Sequence, residues 1–179
     1  MIRTVAVLAG RRIDAQGAVQ PRFPLSNIGR VERDIAEALA SEEVDRLVCA
    51  AACGADLLAL HAAHMLKIPA LIVLPFDKNR FKRLSVVDRP GDWGALYDMV
   101  IGQADARGDL IILDLRGDDD LSFVKANAAM VEQASGIGCG GKLAVAVWDG
   151  RPRGNDDATA AMIEKAQKLG FRSREVLTI

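Results

Sequence analysis

Residues 47–60, LVCAAACGADLLAL, decide how the rest of the chain is interpreted. The apolar start is typical of a buried β-strand, and residues 57–60 are a helix-favouring series. Between them, the small residues of Cys53-Gly54-Ala55-Asp56 allow a tight turn directly into the helix. Backbone N–H groups and the positive end of the helix dipole favour a phosphate or carboxylate at such a helix start. The stretch therefore predicts either an ordinary strand-to-helix turn or the anion-binding part of a ligand site.

The composition is that of a globular protein with an aliphatic core. At 179 residues the chain fits one domain, residues 1–179. Half of the residues are hydrophobic but only 4% are aromatic, so the core must consist mainly of Ala, Val, Leu and Ile. Such a core suits a buried parallel sheet. The net charge of −1 provides no overall field that attracts nucleic acid or a membrane surface.

The three cysteines Cys49, Cys53 and Cys139 do not have the spacing of a zinc site, and we predict no metal. A reduced protein with buried thiols is the simpler interpretation. The apolar run 5–9 is too short for a signal sequence, and no run approaches the length of a membrane span. We therefore expect a cytoplasmic protein without a membrane partner.

Apolar runs alternate with helical periodicity along the chain, which predicts an α/β fold. We expect a three-layer Rossmann-like domain with a mostly parallel sheet flanked by helices. Right-handed crossovers place the C-terminal ends of parallel strands at one edge, where ligands bind in such sheets. The predicted strands are 4–9, 45–51, 70–74, 109–115, 142–148 and 174–178, and the predicted helices are 28–41, 54–66, 96–103, 121–135 and 158–169. Loops 10–24, 53–56, 75–94, 115–120 and 149–159 leave that edge.

Residues 76–94 are predicted to be the longest irregular segment, and they carry interleaved aromatic and basic side chains. A loop of this length is usually functional or disordered. By contrast, residues 136–141 (GIGCGG) precede a strand, so we interpret them as a flexible connection rather than a phosphate loop. Lys125 and Asn127 lack an obvious partner and are assigned to the surface.

These loops support a hypothesis in which each residue type has one role at a nucleotide-type ligand. The turns at Gly54 and at 150–159 offer backbone N–H groups to phosphate oxygens. Arginines bind the same anion, aspartates accept hydrogen bonds from ribose hydroxyls, and aromatic rings stack on a base. The candidates are Arg11, Arg80 and Arg89; Asp14, Asp56, Asp77 and Asp149; and Phe76, Phe81 and Trp93. A Gly54→Val substitution is predicted to abolish binding while the protein stays folded.

Five motifs resemble the Rossmann-like domains of the SLOG superfamily, which includes the cytokinin-activating phosphoribohydrolases (LOG) and the DNA-processing protein DprA. They are Gly10-Arg11-x-x-Asp14, CGADLL at 53–58, Leu74-Pro75-Phe76, SVVDR at 85–89 and VWDG at 147–150. The resemblance covers nearly the whole chain. The close match is to bacterial members without an assigned activity, some found beside cyclase or repeat domains. It implies a pocket for nucleotides or nucleotide-derived ligands at the sheet edge, with Gly154 and Thr159 in a phosphate-binding turn, and it is compatible with a homodimer.

One departure from the phosphoribohydrolase pattern bears on catalysis. Those enzymes carry a Pro-Gly-Gly-x-Gly-Thr turn followed by a catalytic Glu, whereas residues 156–159 here are DDAT, with no Glu in register. Binding therefore carries over better than hydrolysis, and a ligand sensor or carrier is as good a model as an enzyme. The residues assigned to the ligand site are Gly10, Arg11, Asp14, Cys53, Gly54, Ala55, Asp56, Pro75, Phe76, Arg80, Ser85, Arg89, Trp93, Asp149, Gly150, Gly154 and Thr159.

Three function classes stay open at this stage. The first is a non-catalytic domain that binds a nucleoside phosphate, ADP-ribose or an NAD-like ligand. The second is an enzyme that acts on an N-glycosidic bond, with Asp14, Asp56 or Asp149 as the catalytic carboxylate. The third is a nucleic-acid binder that uses the basic segment, which the near-neutral total charge disfavours. A dehydrogenase is weaker still, because no Gly-x-Gly-x-x-Gly follows the first strand.

Overall fold

The computed structural model describes residues 1–117 and 119–179 and contains a parallel β-sheet between two layers of helices. Residue 118, in the predicted loop 115–120, lies outside the described residues. The strands are β1 (Ile2–Gly10), β2 (Val44–Cys49), β3 (Ala70–Leu74), β4 (Leu110–Ile112), β5 (Cys139–Trp148) and β6 (Arg172–Leu177). The helices are α1 (Ile28–Ser41), α2 (Ala55–Met65), α3 (Lys78–Ser85), α4 (Gly94–Arg107), α5 (Asp120–Gly136) and α6 (Ala158–Lys168), and a short 3-10 turn, Leu25–Asn27, precedes α1.

The sheet has the strand order β4-β3-β2-β1-β5-β6, and each neighbouring pair is parallel. The chain moves outward from β1 to β4 and then returns to place β5 on the other side of β1. This reversal makes the C-terminal ends of β1 and β5 the position where a ligand crevice is expected. The predicted α/β, Rossmann-like architecture is confirmed.

Alternating side chains of β1 supply both faces of the core. Ala6 and Leu8 pack with α1, α2 and α4 on one face, while Val5, Val7 and Ala9 pack with α5 and α6 on the other. All five are buried, as expected for a strand covered on both sides. No helix within residues 1–117 and 119–179 combines the length and apolar character needed to cross a bilayer.

Two segments differ from the sequence-based prediction. The interval 76–94 is not irregular throughout, because α3 forms within it and begins at Asp77, whose carboxylate accepts the N–H groups of Asn79 and Arg80. The interval 136–141 is not wholly a connection, because β5 begins at Cys139 and pairs with Ile2 of β1. A side-chain cap and a strand partner, neither of which creates an apolar period, account for these differences.

Candidate functional site

A cavity of about 130 Å³ lies at the C-terminal edge of the sheet, where β1, β2 and β3 end beneath α5. Its wall is mostly apolar, and the polar groups come from several different loops and helix starts. The position fits the ligand crevice of an open parallel sheet. The lining residues are Ala9, Gly10, Arg11, Arg12, Ala50, Ala52, Asp56, Pro75, Phe81, Asp120, Phe123, Ala126, Asn127, Arg153, Ala158 and Thr159.

Arg12 is the cavity residue with incomplete hydrogen bonding. It follows β1 in the chain, and its Nη2 donates to the carboxylate of Asp88. Its Nε is buried and has no hydrogen-bond partner. A buried donor without an acceptor costs about 1–3 kcal/mol, so an acceptor brought by a ligand would be stabilised there. The sequence analysis singled out Arg11 and overlooked Arg12.

Asp56 lies in the first turn of α2 and is buried at the cavity wall. Its Oδ2 accepts a hydrogen bond of 3.1 Å from the N–H of Ala52. Burial raises the pKa of this carboxyl to about 7, while the Ala52 N–H and the charge of Arg12 act in the opposite direction. A group of this kind exchanges a proton near neutral pH, which suits either a ligand contact or an acid–base role.

Asn127 is part of the cavity wall, which corrects its assignment to the surface. It is buried on the inward face of α5, and its Nδ2 donates to the carbonyl of Ala158 at 2.9 Å. This bond ties the middle of α5 to the start of α6 across the cavity. A polar residue surrounded by alanines has an ambiguous helical period, so the sequence pattern could not place it.

Arg11 belongs to a buried salt-bridge network rather than to an open anion site. Its side chain is 4% exposed. Its Nε donates to Asp149 at 2.8 Å and its Nη1 to Asp157 at 2.6 Å, and its Nη2 reaches the carbonyl of Arg151. Although Arg11 lines the cavity, its donors are used by the protein. The network instead fixes the start of α6 against the end of β1.

The carboxylates Asp14 and Asp149 have structural partners. Asp14 accepts the backbone N–H groups of Arg22 and Phe23 at 3.0–3.1 Å, which closes the loop after β1. Asp149 is bound by both Arg11 and Arg22. Neither residue is among those that line the cavity, so of the three candidate catalytic aspartates only Asp56 faces it.

The Gly54 turn packs against the loop after β1. Gly54 has a φ of 94°, and a Cβ there would lie 2.7 Å from the carbonyl oxygen of Arg11 and 2.8 Å from the N–H nitrogen of Ile13. The N–H of Ala55 donates to the carbonyl of Arg11 at 3.0 Å, and Cys53 is fully buried. A Gly54→Val variant therefore strains the backbone, which corrects the expectation that it loses binding alone.

Gly10 permits a close approach of β1 to its neighbours. A Cβ at this position would lie 2.2 Å from the carbonyl oxygen of Val147 and 2.5 Å from the Cβ of Ala55. The N–H of Arg11 donates to the same Val147 carbonyl at 2.8 Å. The absent side chain thus brings β1, β5 and α2 together at the cavity.

The loop before α6 meets the cavity at its helical end. Thr159 is buried and lines the cavity, whereas Gly150 and Gly154 are exposed and adopt positive φ values of 75° and 126°. Asp157 caps α6 and accepts the N–H groups of Thr159 and Ala160 at 2.9 and 3.0 Å. Against the effect of burial, hydrogen bonds from Ala160, Arg153 and Arg11 lower the pKa of Asp157. These two N–H groups are therefore used by the cap.

The aromatic residues predicted to stack on a base are core residues. Phe76, Phe81 and Trp93 are at most 5% exposed. The ring centroids of Phe76 and Phe81 are 6.0 Å apart, and Trp93 donates its Nε1–H to the carbonyl of Pro90 at 2.8 Å. Phe81 touches the cavity as part of its apolar wall. Burial leaves no open ring face on Phe76 or Trp93 for a ligand.

The polar residues of the basic segment also contact the protein. Arg80 donates to the carbonyl of Arg116 and lies over the ring of Phe76, and Arg89 pairs with Asp88 at 3.5 Å. Ser85 is fully buried, and its carbonyl accepts the N–H of Cys53 at 2.9 Å. None of these three residues lines the cavity. Lys78 and Lys82 form ion pairs with Asp105 and Asp98.

The cavity therefore brings together Gly10, Arg11, Asp56, Pro75 and Thr159 from the predicted site, and it adds Arg12, Asn127 and Arg153. Across residues 1–117 and 119–179, no group of three or more His, Cys, Asp and Glu side chains is arranged to hold a metal ion. The available chemistry consists of one guanidinium with an unused donor, one carboxyl that titrates near neutrality, and an amide.

Comparison with known proteins gives a likeness of fold. No protein-family model matches the chain, and no curated protein matches it either. Among solved structures it is similar to the X-ray structure of DNA processing protein A (DprA) from Streptococcus pneumoniae. The TM-score is 0.52 and the sequence identity 16%, and the match covers 97% of this chain and 50% of that one. The chain thus spans about half the length of that protein, and the resemblance to a Rossmann-like fold of the DprA type is confirmed for the fold alone.

Proposed function

We propose that the cavity at the C-terminal edge of the sheet binds a nucleotide or nucleotide-derived ligand, with the protein acting as a sensor or carrier. The observation that carries the proposal is the buried Nε of Arg12, a cationic donor without an acceptor at the cavity wall. A phosphate oxygen satisfies such a donor and its charge together. The exposed Arg153 offers a second cation at the same cavity.

The size of the cavity sets how much of the ligand it encloses. Whole ligand pockets usually measure about 300–1,000 Å³. The enclosed volume of about 130 Å³ suits a sugar or phosphate group rather than a complete dinucleotide. In the proposed complex the rest of the ligand lies outside the cavity. A nucleoside phosphate, ADP-ribose or an NAD-like molecule fits this arrangement.

The proposal extends to family membership. The fold likeness to DprA, together with the CGADLL and SVVDR motifs, supports placing the chain in the SLOG superfamily, near its bacterial members without an assigned activity. Under the same proposal, residues 1–179 form one such domain.

A second candidate is an N-glycosidic hydrolase or transferase that acts on a nucleotide. The specific observation in its favour is the position of Asp56, whose carboxyl faces the cavity with a pKa of about 7. A carboxyl of that pKa is suited to protonate a leaving base or to activate water. In this version of the proposal Asp56 is the catalytic residue, and Arg12 holds the phosphate.

A thermal-shift panel separates the two candidates. AMP, ADP-ribose, NAD and cyclic nucleotides are added to the protein, and every mixture that raises Tm is analysed for released base. A ligand at 100 times its Kd adds about 2.7 kcal/mol to the free energy of unfolding. Stabilisation with intact ligand supports a sensor or carrier, and stabilisation with base release supports the enzyme. No shift with any nucleotide contradicts both.

A further inference from the structure

The carboxyl group of Asp56 is held in the cavity wall with little to stabilise its charge. The residue is 8% exposed, and its Oδ2 receives one hydrogen bond, from the backbone N–H of Ala52. Arg12 favours the ionised form only through space. The buried thiol of Cys49 lies close behind, and the negative charge of Asp56 in turn contributes to the raised pKa of that thiol.

The charged groups around the cavity are already partly balanced. Arg12 faces it from the loop after β1 and contacts Asp88, while Arg153 faces it from the loop before α6 and pairs with Asp157 at 3.7 Å. Asp120 adds a carboxylate at the start of α5. An anion that enters this space therefore brings a second negative charge close to Asp56, in surroundings where water is largely excluded. Like charges at close range disfavour ionisation of a carboxyl.

We propose that an anionic ligand enters this cavity together with one proton, which Asp56 takes from solvent to become a neutral carboxylic acid. The inference rests on the proposed function, since it concerns the same site. The proton removes the repulsion and gives Asp56 an O–H that donates to a ligand oxygen. Asp56 is then the residue that determines the charge preference of the site, because without the proton it opposes the anion that Arg12 attracts.

The energetic cost of this proton uptake is small near neutral pH. Burial raises the pKa of Asp56 to about 7, so about half of the molecules are already protonated before an anion arrives. The consequence is a pH-dependent affinity. Binding of a ligand that does not itself titrate weakens as pH rises above the pKa of Asp56, by up to about tenfold per pH unit.

The test is isothermal titration of ADP-ribose, whose diphosphate oxygens do not titrate near neutrality. Titrations at about pH 7.5 in two buffers with different heats of ionisation count the protons exchanged on binding. Wild-type protein is expected to take up between about half and one proton per bound ligand. Its affinity is expected to fall about tenfold or more between about pH 7 and pH 8.5.

Asp56→Asn and Asp34→Asn are the paired variants. Asparagine at position 56 keeps an oxygen for the Ala52 N–H and removes the charge, so the variant should fold. It is expected to bind ADP-ribose without proton uptake and with a flat pH profile. Asp34 is an exposed residue of α1, on the opposite face of the sheet, and its variant should behave as wild type.

The outcomes distinguish this inference from the proposed function. If ADP-ribose binds wild type with no proton uptake, or if Asp56→Asn still takes up a proton, the inference is overturned while the binding function stands. If neither ADP-ribose nor any other nucleotide of the panel binds, the proposed function itself fails, and the proton-coupled binding fails with it.

Discussion

Arg11 and Arg12 are adjacent in the chain and both reach the cavity, but their surroundings differ. Arg11 is enclosed by Asp149, Asp157 and a backbone carbonyl, with its side chain 4% exposed. Arg12 has one carboxylate partner, Asp88, and a buried Nε with none. The first arginine holds two loops of the fold together, whereas the second retains the capacity to bind an acceptor from outside.

The aspartates show the same division. Asp157 has its charge stabilised by Arg11 and by three backbone N–H groups. Asp56 has one backbone N–H, and burial raises its pKa to about 7. Charges that the protein itself satisfies are structural, and charges that it leaves incompletely satisfied mark the site where a ligand contributes. The following variants test this division in order of expected effect.

The largest effect is expected from Arg11→Met. The substitution leaves Asp149 and Asp157 as buried carboxylates without their main cation, and breaking a buried ion pair costs about 3–5 kcal/mol. Urea unfolding measures the loss. Arg3→Met, at an exposed arginine that also has two acidic partners, is the control and should cost less than about 1 kcal/mol. Equal losses for the two variants would show that the buried network is not structural.

The next effect is a change in how stability depends on pH. Because the pKa of Asp56 rises from 3.8 to about 7 on folding, the folded state binds the proton more tightly than the unfolded state. This contribution of Asp56 lowers the stability of wild type as pH rises from about 4 to about 7, by on the order of 4 kcal/mol. Asp56→Asn removes that dependence and should be more stable than wild type at about pH 8. Urea midpoints at several pH values measure it, and parallel profiles for wild type and variant would contradict the raised pKa.

Arg12→Met is expected to affect binding more than stability. The variant removes the unpaired Nε, so a bound nucleotide loses a charge-assisted hydrogen bond of about 1.5–3 kcal/mol, a roughly 10- to 100-fold rise in Kd. The midpoint of unfolding should change by less than the equivalent of about 1 kcal/mol, because only the partly exposed contact with Asp88 is lost. Titration calorimetry measures the Kd. An unchanged Kd would exclude Arg12 from the site.

Arg89→Gln is the matched variant with the smallest expected effect. Arg89 pairs with the same Asp88 that contacts Arg12, but it does not line the cavity. The free energy of unfolding should change by less than about 0.5 kcal/mol, and nucleotide Kd by less than about twofold. A loss of affinity as large as that of Arg12→Met would move the site toward the basic segment and against the cavity.

The sequence predicted the fold well and the site only in part, for physical reasons. The runs of β1, β2, β3 and β5 are apolar throughout because both faces of the sheet are covered, so the parallel sheet and its C-terminal edge could be foreseen. The helix α3 could not, since six of its eight residues are polar and its cap at Asp77 resembles any loop aspartate.

The choice between neighbouring residues needed tertiary contacts. Arg11 and Arg12 look alike in sequence, and only the positions of Asp149 and Asp157, more than 130 residues away, separate them. The aromatic residues of the basic segment suggested stacking, but with few aromatics in the chain Phe76 and Trp93 fill the core instead. Composition reports that a side chain is apolar, whereas packing decides what it covers.

A crystal structure of the protein grown with the nucleotide that most raises its Tm tests the central claim most directly. The account predicts ligand density in the cavity, with an oxygen about 3 Å from the Nε of Arg12 and the carboxyl of Asp56 within contact distance of the ligand. Ligand bound elsewhere, for example along the basic segment at Arg89, with the Nε of Arg12 still unpartnered, would contradict it.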